Sequence, residues 1–258
     1  MANTVFNNKI IEAKAKDLLT TSVNTRNLMN VDNSLAQEAG MTKTINVYTY
    51  TGAAEEVGVG EGNTVRGAIS YTPVDYTVKY VQQTFDYADE DFMKDGTIVD
   101  NMLKGATQTM TNKMAADFVA ECGKATIANE SATFGYEAIV EGIAKLNIED
   151  ESKLFVVIPN DWKADLRKDE DYKTARMGEV VYNGQVGTVC GIPVIATKAL
   201  TNAAYVMTNE AVTLFMKKDV SVEQDRDIEK RINTIVLGTA YLVALENADK
   251  ICKLTVSA

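Results

Sequence analysis

The sequence predicts an α+β fold. A single long helical signal spans 97–122, strand-like runs crowd the last third of the chain, and no repeated βαβ period links the two, which disfavours a doubly wound sheet. The helix is read from TIVDNMLKGATQTMTNKMAADFVAEC. Val99, Met102, Leu103, Ala106, Met110, Met114, Phe118 and Cys122 fall three or four apart and form one stripe. Thr97 can cap the start, with Asp100 at the third helical position as a weak capping box. Gly123 is a natural stop. Gly105 lies inside and costs about 1 kcal/mol relative to alanine. At 1.5 Å per residue the helix is roughly 37 Å long. Its other face carries Asn101, Lys104, Gln108, Thr111, Asn112 and Ala115, which is too polar for a helix buried all round.

Residues 1–45 are rich in Asn and Thr, with a short helix expected near 8–20 from Ile10, Ile11, Ala13, Leu18 and Leu19. INVYTY (45–50) and YTVKYVQQTF (76–85) alternate apolar and polar residues, as strands do. Between them lie five glycines (Gly52, Gly58, Gly60, Gly62, Gly67) and Pro73, so the stretch reads as a long two-stranded excursion with a carboxylate-bearing tip. A two-stranded ribbon is marginal alone in water and must lie against something. DYADEDFMKDG is an acidic lead into the long helix. FGYEAIVEGIAKLN (134–147) is a second amphipathic helix, with Ile139, Val140, Ile143 and Leu146 on one face. KLFVVIP (153–159) is a buried strand. NDWKADLRKD is a short helix capped by Asn160 or Asp161, with Trp162 and Leu166 inward. GQVGTVCGIPVIAT (184–197) gives two strands around Gly191 and Pro193, and AAYVMT (203–208) one more. AVTLFMKKDVSVEQDRD and RINTIVLGTAYLVAL are long strands joined by a charged turn, and KICKLTVSA is a last strand. No internal repeat or flexible linker is evident.

Composition excludes several classes of chemistry. The 258 residues are 46% apolar with a net charge of −10, and no basic block is present, so a DNA-gripping surface is disfavoured. An acidic chain can still enclose DNA without gripping it. Cys122, Cys190 and Cys252 are far apart and fit neither a disulfide framework nor a C-x-x-C site, so they read as small buried hydrophobes. The absence of histidine removes imidazole bases, Ser-His and Cys-His pairs and nearly all zinc sites. MANTVFNNKI lacks the apolar run of a signal peptide, and no stretch approaches a membrane span.

The remaining motifs are weak. VGVGEGNTV has Asn63 where a dinucleotide loop needs its third glycine, no helix follows, and no Lys-Ser or Lys-Thr completes a P-loop. Asp86, Asp89, Glu90, Asp91 and Asp95 could offer oxygen ligands, but they miss the EF-hand spacing and sit where a helix N-terminus favours negative charge. Glu55, Glu56 and Glu61 could be paired acids, yet a glycine-rich tip is a poor platform for two fixed carboxylates. No cofactor is expected. The turn from Glu223 to Arg231 carries mixed charge. It reads either as a wet hairpin tip or as a contact between like subunits, where complementarity sets register.

The order of these parts resembles the major capsid protein of tailed bacteriophages, the Hong Kong 97-type fold. The resemblance rests on VGVGEGNTV and YTPVDYTVKYVQQTFDYADEDF leading to 97–122, then KLFVVIPNDWKADLRKDEDY, then GTVCGIPVIATKAL, then VSVEQDRDIEKRINTIVL, and it covers essentially the whole chain. It implies an N-terminal arm at 1–44 and an extended loop at 45–75. A peripheral domain with a long spine helix would hold 76–130 and 212–247, and an axial domain 131–211 and 248–258. It further implies a virion protein, assembled in the bacterial host cytoplasm, whose hexamers and pentamers close an icosahedral phage head around double-stranded DNA. Glu55, Glu56, Glu61 and Arg66 of the loop would meet an adjacent subunit. Asp225, Arg226, Asp227, Glu229, Lys230 and Arg231 of the tip would meet other capsomers. Partners would be further copies of the chain, a portal protein, and separate scaffold or decoration proteins.

Two departures from the family pattern shape the expectation. The chain starts at the arm, so any scaffold would be a separate protein or removed beforehand. Residues 51–78 contain no lysine, so the isopeptide welding of some relatives is not expected and shells would be non-covalent. The rival readings are an encapsulin-type nanocompartment shell, whose usual N-terminal cargo-docking helix is missed in this Asn/Thr-rich start, and an acidic α+β enzyme using carboxylates.

Overall fold

The 97–122 signal is realised as one helix. The computed structural model describes residues 25–175 and 187–257. The helix expected near 8–20 lies outside them. In chain order the elements are β1 (Asn30–Asp32), β2 (Thr42–Thr51), β3 (Ala68–Thr77), β4 (Lys79–Ala88), α1 (Asp89–Lys94), α2 (Ile98–Cys122), β5 (Ile127–Ser131) and α3 (Tyr136–Leu146). They continue with β6 (Leu154–Pro159), α4 (Lys163–Lys168), α5 (Glu170–Ala175), β7 (Thr188–Val189), β8 (Ile192–Thr197), β9 (Ala204–Thr208), β10 (Val212–Asp227), β11 (Ile232–Leu245) and β12 (Ile251–Val256). The chain divides into two compact units, one formed by Ala39–Val78 and the other by the remaining described residues.

The larger unit holds two sheets. A four-stranded sheet runs β1-β10-β11-β4, and a six-stranded sheet runs β5-β12-β9-β6-β8-β7. The short strand β1 lies parallel to β10, aligning Asn30 with Thr213. Sequence reading missed it, because three residues carry no period. Helix α2 packs on β4, β10 and β11. Its stripe, from Val99 through Leu103, Met110 and Met114 to Phe118 and Cys122, enters one core with Leu214, Ile235, Leu237 and Tyr241. The same core takes Phe155, Val157, Tyr205, Met207 and Ile251 from the six-stranded sheet. Alternate residues of those strands, Leu154, Val156, Ile158, Ala204, Val206, Cys252 and Leu254, join α3 in a second core. Period-two alternation thus sends β6, β9 and β12 into two cores at once, which is why KLFVVIP and AAYVMT read as continuous apolar runs. Gly142 allows α3 to approach this sheet closely, since a Cβ there would sit 2.6 Å from Leu254 Cδ2 and 3.3 Å from Val206 Cγ2.

Several details differ from the sequence reading. Thr97 makes no side-chain cap; its N–H and hydroxyl both donate to Asp95 Oδ1, at 2.9 and 2.7 Å. Neither Asn160 nor Asp161 caps α4, whose N-cap is Trp162. Cys122 and Cys252 are buried as expected, but Cys190 is exposed. It shares the two-residue β7–β8 turn with Gly191, and both have positive φ (52° and 81°), the geometry of a type I′ hairpin. On the polar face of α2, Thr111 and Ala115 are buried, and so are Thr107 and Asp117. Thr107 hides its hydroxyl by donating to Leu103 O at 2.8 Å.

Asp117 is the charged anchor of this packing. It is 6% exposed and accepts from Lys79 Nζ (2.9 Å), Tyr241 Oη (2.9 Å) and Lys113 Nζ (3.1 Å). These bonds tie α2 to β4 and β11. Burial opposes the charge, but the bonds from Lys79, Tyr241 and Lys113 outweigh it and hold the carboxyl below its ordinary range. Burial, and then the bond to Asp117, pushes the Tyr241 phenol up. A carboxyl depressed in the folded state stabilises above its unfolded pKa, near ~4, and loses that contribution as pH falls through the folded value. Asp117→Ala leaves a buried phenol without its acceptor, and we expect a loss of about 2–4 kcal/mol in urea unfolding at neutral pH. The deficit should shrink in acid; an equal deficit at pH 7 and pH 3 would show that the charge is not what anchors the helix.

Candidate assembly surfaces

Unit 39–78 is a ribbon, and its surface is apolar on both sides. β2 and β3 pair antiparallel from Thr42↔Thr77 to Thr51↔Ala68. The partner of INVYTY is therefore 68–77. The expected partner, 76–85, splits at buried Val78, and most of it becomes β4, paired to β11. The residues on both sides of Val78 are strand-like in composition, so the sequence hid the break. By register Tyr50, Ile69 and Tyr71 share one face, and Ile45, Val47 and Val74 share the other. Tyr50 is 60% exposed and Tyr71 64%, and Val47, Ile69 and Val74 are exposed too. No single-sided core explains this pattern, because both faces leave large apolar side chains in water.

The ribbon tip is tightly organised. A Cβ at Gly52 would meet Gly67 Cα at 2.9 Å as well as Tyr50 Oη at 2.6 Å, so the facing backbone leaves it little room, whereas one at Gly67 would meet only the exposed Tyr50 side chain, at 2.2 Å, and would push it aside. Glu55 is turned into the loop. Its Oε1 accepts from Thr64 Oγ1 at 2.5 Å, and its Oε2 from Thr64 N at 2.7 Å and Val65 N at 3.3 Å. Glu61 N donates to Gly58 O at 3.1 Å and closes the far turn. Glu56 and Arg66 are exposed, as is Val59 at the apex.

At the β10–β11 turn the expected charges are present but largely paired within the chain. Arg226 Nη2 donates to Asp89 Oδ2 at 2.7 Å, Asn233 Nδ2 donates to Asp89 Oδ1 at 2.7 Å, and Arg231 lies 3.5 Å from Glu90. The bonds from Arg226 and Asn233 hold the Asp89 carboxyl below its usual range. Asp227 Oδ1 accepts from the N–H groups of Glu229 and Lys230, and Asp225 Oδ1 from that of Arg226. The acidic run before α2 is thus engaged: Asp89 and Glu90 brace this turn, Asp86 accepts from Thr234 at 2.7 Å, and Asp95 binds Thr97. Among the described residues no group of three or more Cys, Asp or Glu is placed to hold a metal ion. Ile228, 79% exposed, projects at the middle of the turn and was passed over among its charged neighbours. An isoleucine inside a charged hairpin tip was the available signal.

A third surface borders α2. Gln108, Thr111, Asn112, Asn160, Thr197 and Lys198 line a cavity of about 640 Å³. Gln108 Nε2 donates to Asn112 Oδ1 at 3.0 Å along its rim. Part of the polar face of α2 therefore opens onto this amide-lined space. No described helix is long and apolar enough to cross a membrane.

Comparison of the fold with solved structures gives consistent matches. The capsid of the cyanophage P-SCSP1u aligns with a TM-score of 0.72 and 12% identity, over 91% of this chain and 88% of that one. A virus-like particle from Pyrococcus furiosus aligns at 0.67 and 11% identity, over 97% of this chain and 100% of that one. A Mycobacterium phage Che8 structure aligns at 0.64 and 16% identity, over 90% of each. No protein-family model and no curated protein matches the chain. The likeness is one of fold: the chain has a mixed α+β architecture resembling Hong Kong 97-type capsid folds.

Because Ile228 makes its exposure without supporting either core, Ile228→Asp should leave subunit stability within about 0.5 kcal/mol of the parent. Urea unfolding checks this, and a loss of about 2 kcal/mol or more would show that the side chain packs within the subunit.

Proposed function

We propose that the chain is a shell-forming structural subunit, the major capsid protein of a tailed phage or prophage. The observation that carries the reading is near-complete mutual coverage with capsid and virus-like-particle folds. The ribbon, with apolar residues on both faces and no core of its own, adds physical support. Heterologous contacts in which each subunit covers its neighbour close into rings, here hexamers and pentamers, and then into an icosahedral head around double-stranded DNA. In this reading 1–44 is the arm, 45–75 the extended loop, 76–130 with 212–247 the peripheral domain around α2, and 131–211 with 248–258 the axial domain. Glu56, Glu61 and Arg66, with the apolar ribbon faces, meet an adjacent subunit, while Glu55 serves the loop itself. Ile228, Glu229 and Lys230 meet other capsomers, on a turn braced by Arg226, Arg231, Asp225 and Asp227. A portal protein and separate scaffold or decoration proteins complete the partner set, and the mature location is the virion.

The match to the Pyrococcus furiosus virus-like particle supports a second reading, an encapsulin-type nanocompartment shell. The contents of particles purified from the source cells separate the two: packaged DNA favours the phage head, a packaged enzyme the nanocompartment. Negative-stain microscopy of the purified protein at rising concentration tests what both share. We expect closed shells or capsomer rings, and boiling them in detergent should give one band at subunit mass, since 51–78 has no lysine for a covalent weld. A monodisperse monomer at high concentration would overturn the shell reading, and a ladder of multimers would overturn non-covalent assembly.

A further inference from the structure

The ribbon tip closes at two levels within 52–67. At the neck, Gly52 and Gly67 pass close to each other beside the Tyr50 ring, so that a Cβ on Gly52 would come within 2.9 Å of Gly67 Cα. Above the neck, one carboxylate gathers three donors from the opposite limb of the loop: the Thr64 hydroxyl, the Thr64 amide and the Val65 amide. Beyond it, the Gly58–Glu61 turn, with Gly60 at φ 89°, presents Val57 and Val59 outward. A glycine-rich loop of this length has many open conformations, and ordering it at the moment of contact would charge that entropy against binding. The carboxylate removes many of those conformations beforehand. A neutral amide in its place could still take both backbone N–H groups on its one oxygen and donate to the Thr64 hydroxyl, so alanine, which offers no acceptor, is the change that removes the gathering point.

We propose that Glu55 is a latch that holds 55–65 in one closed conformation before the ribbon meets another subunit, and that releasing it slows assembly while leaving the rest of the fold intact. The assembly clause rests on the shell reading; the latch itself does not. The other charged groups of the loop are Glu56, Glu61 and Arg66, while Lys43 and Asp75 lie at the far end of the ribbon by register. The bonds from Thr64 and Val65 hold the Glu55 carboxyl below its ordinary range, so the latch is closed at neutral pH and opens only as pH falls through that lowered value.

The test is nuclear magnetic resonance of the full chain at subunit concentrations, comparing the parent with Glu55→Ala and with Glu61→Gln as a control for the resonances. In the parent, the Thr64 and Val65 amide protons should be protected from exchange at neutral pH, and their shifts should follow one titration with a midpoint below ~4.3. Glu55→Ala should abolish both the titration and the protection, and Glu61→Gln should preserve them. Light scattering should then show a several-fold longer assembly half-time for Glu55→Ala than for the parent. Identical Thr64 and Val65 signals in the parent and Glu55→Ala would overturn the latch. A lost latch with unchanged assembly half-time would overturn its role in assembly. Failure of every variant, parent included, to assemble while the resonance result holds would count against the shell reading and the assembly clause, and leave the latch standing.

Discussion

The apolar stripe of α2 is the contact on which the larger unit depends. Val99, Leu103, Met110, Met114, Phe118 and Cys122 reach into a core that takes residues from both sheets. Full burial of each such side chain is worth about 1.5–3 kcal/mol relative to exposure. Asp117 then fixes the rotation of the helix on the sheet, because its three donors come from α2 itself, β4 and β11. Without that charge the stripe could still pack, but the polar ties from α2 to Lys79 of β4 and Tyr241 of β11 would be lost.

This division explains what was legible in the sequence. The stripe was legible, because its three-and-four spacing continues for 25 residues. The charged anchor was not, since Lys79 and Tyr241 lie 38 and 124 positions from Asp117. Thr111 and Ala115 looked like part of a solvated face by residue type. Thr107 is buried without penalty because it back-bonds to Leu103 within the helix, a device that residue type does not reveal. Strands β6 and β9 were legible for the opposite reason: with a core on each side they are almost wholly apolar. β1 was not, being only three residues long and recognisable only by its parallel partner β10.

The candidate surfaces show the same split. Glycines and alternation located the ribbon, but the break at Val78 was hidden, so one strand was placed a full strand too late. The loop carboxylates were grouped as contacts, whereas Glu55 turns inward and Glu56 does not. At the β10–β11 turn, composition suggested a mixed-charge contact. The structure pairs Arg226 and Arg231 with Asp89 and Glu90 and leaves Ile228 outermost. In both places the charges largely shape the backbone, and apolar side chains remain to make contact, which agrees with the depletion of charge at interface centres.

The central claim is that the ribbon is completed by another copy of the chain. Hydrogen–deuterium exchange over 42–51 and 68–77, in dilute subunits and in assembled particles, tests it most directly. The account predicts rapid exchange along both strands in the dilute subunit, as for an isolated two-stranded ribbon, and strong slowing in the particle, with α2 equally protected in both. Equal ribbon exchange in the two states would contradict it.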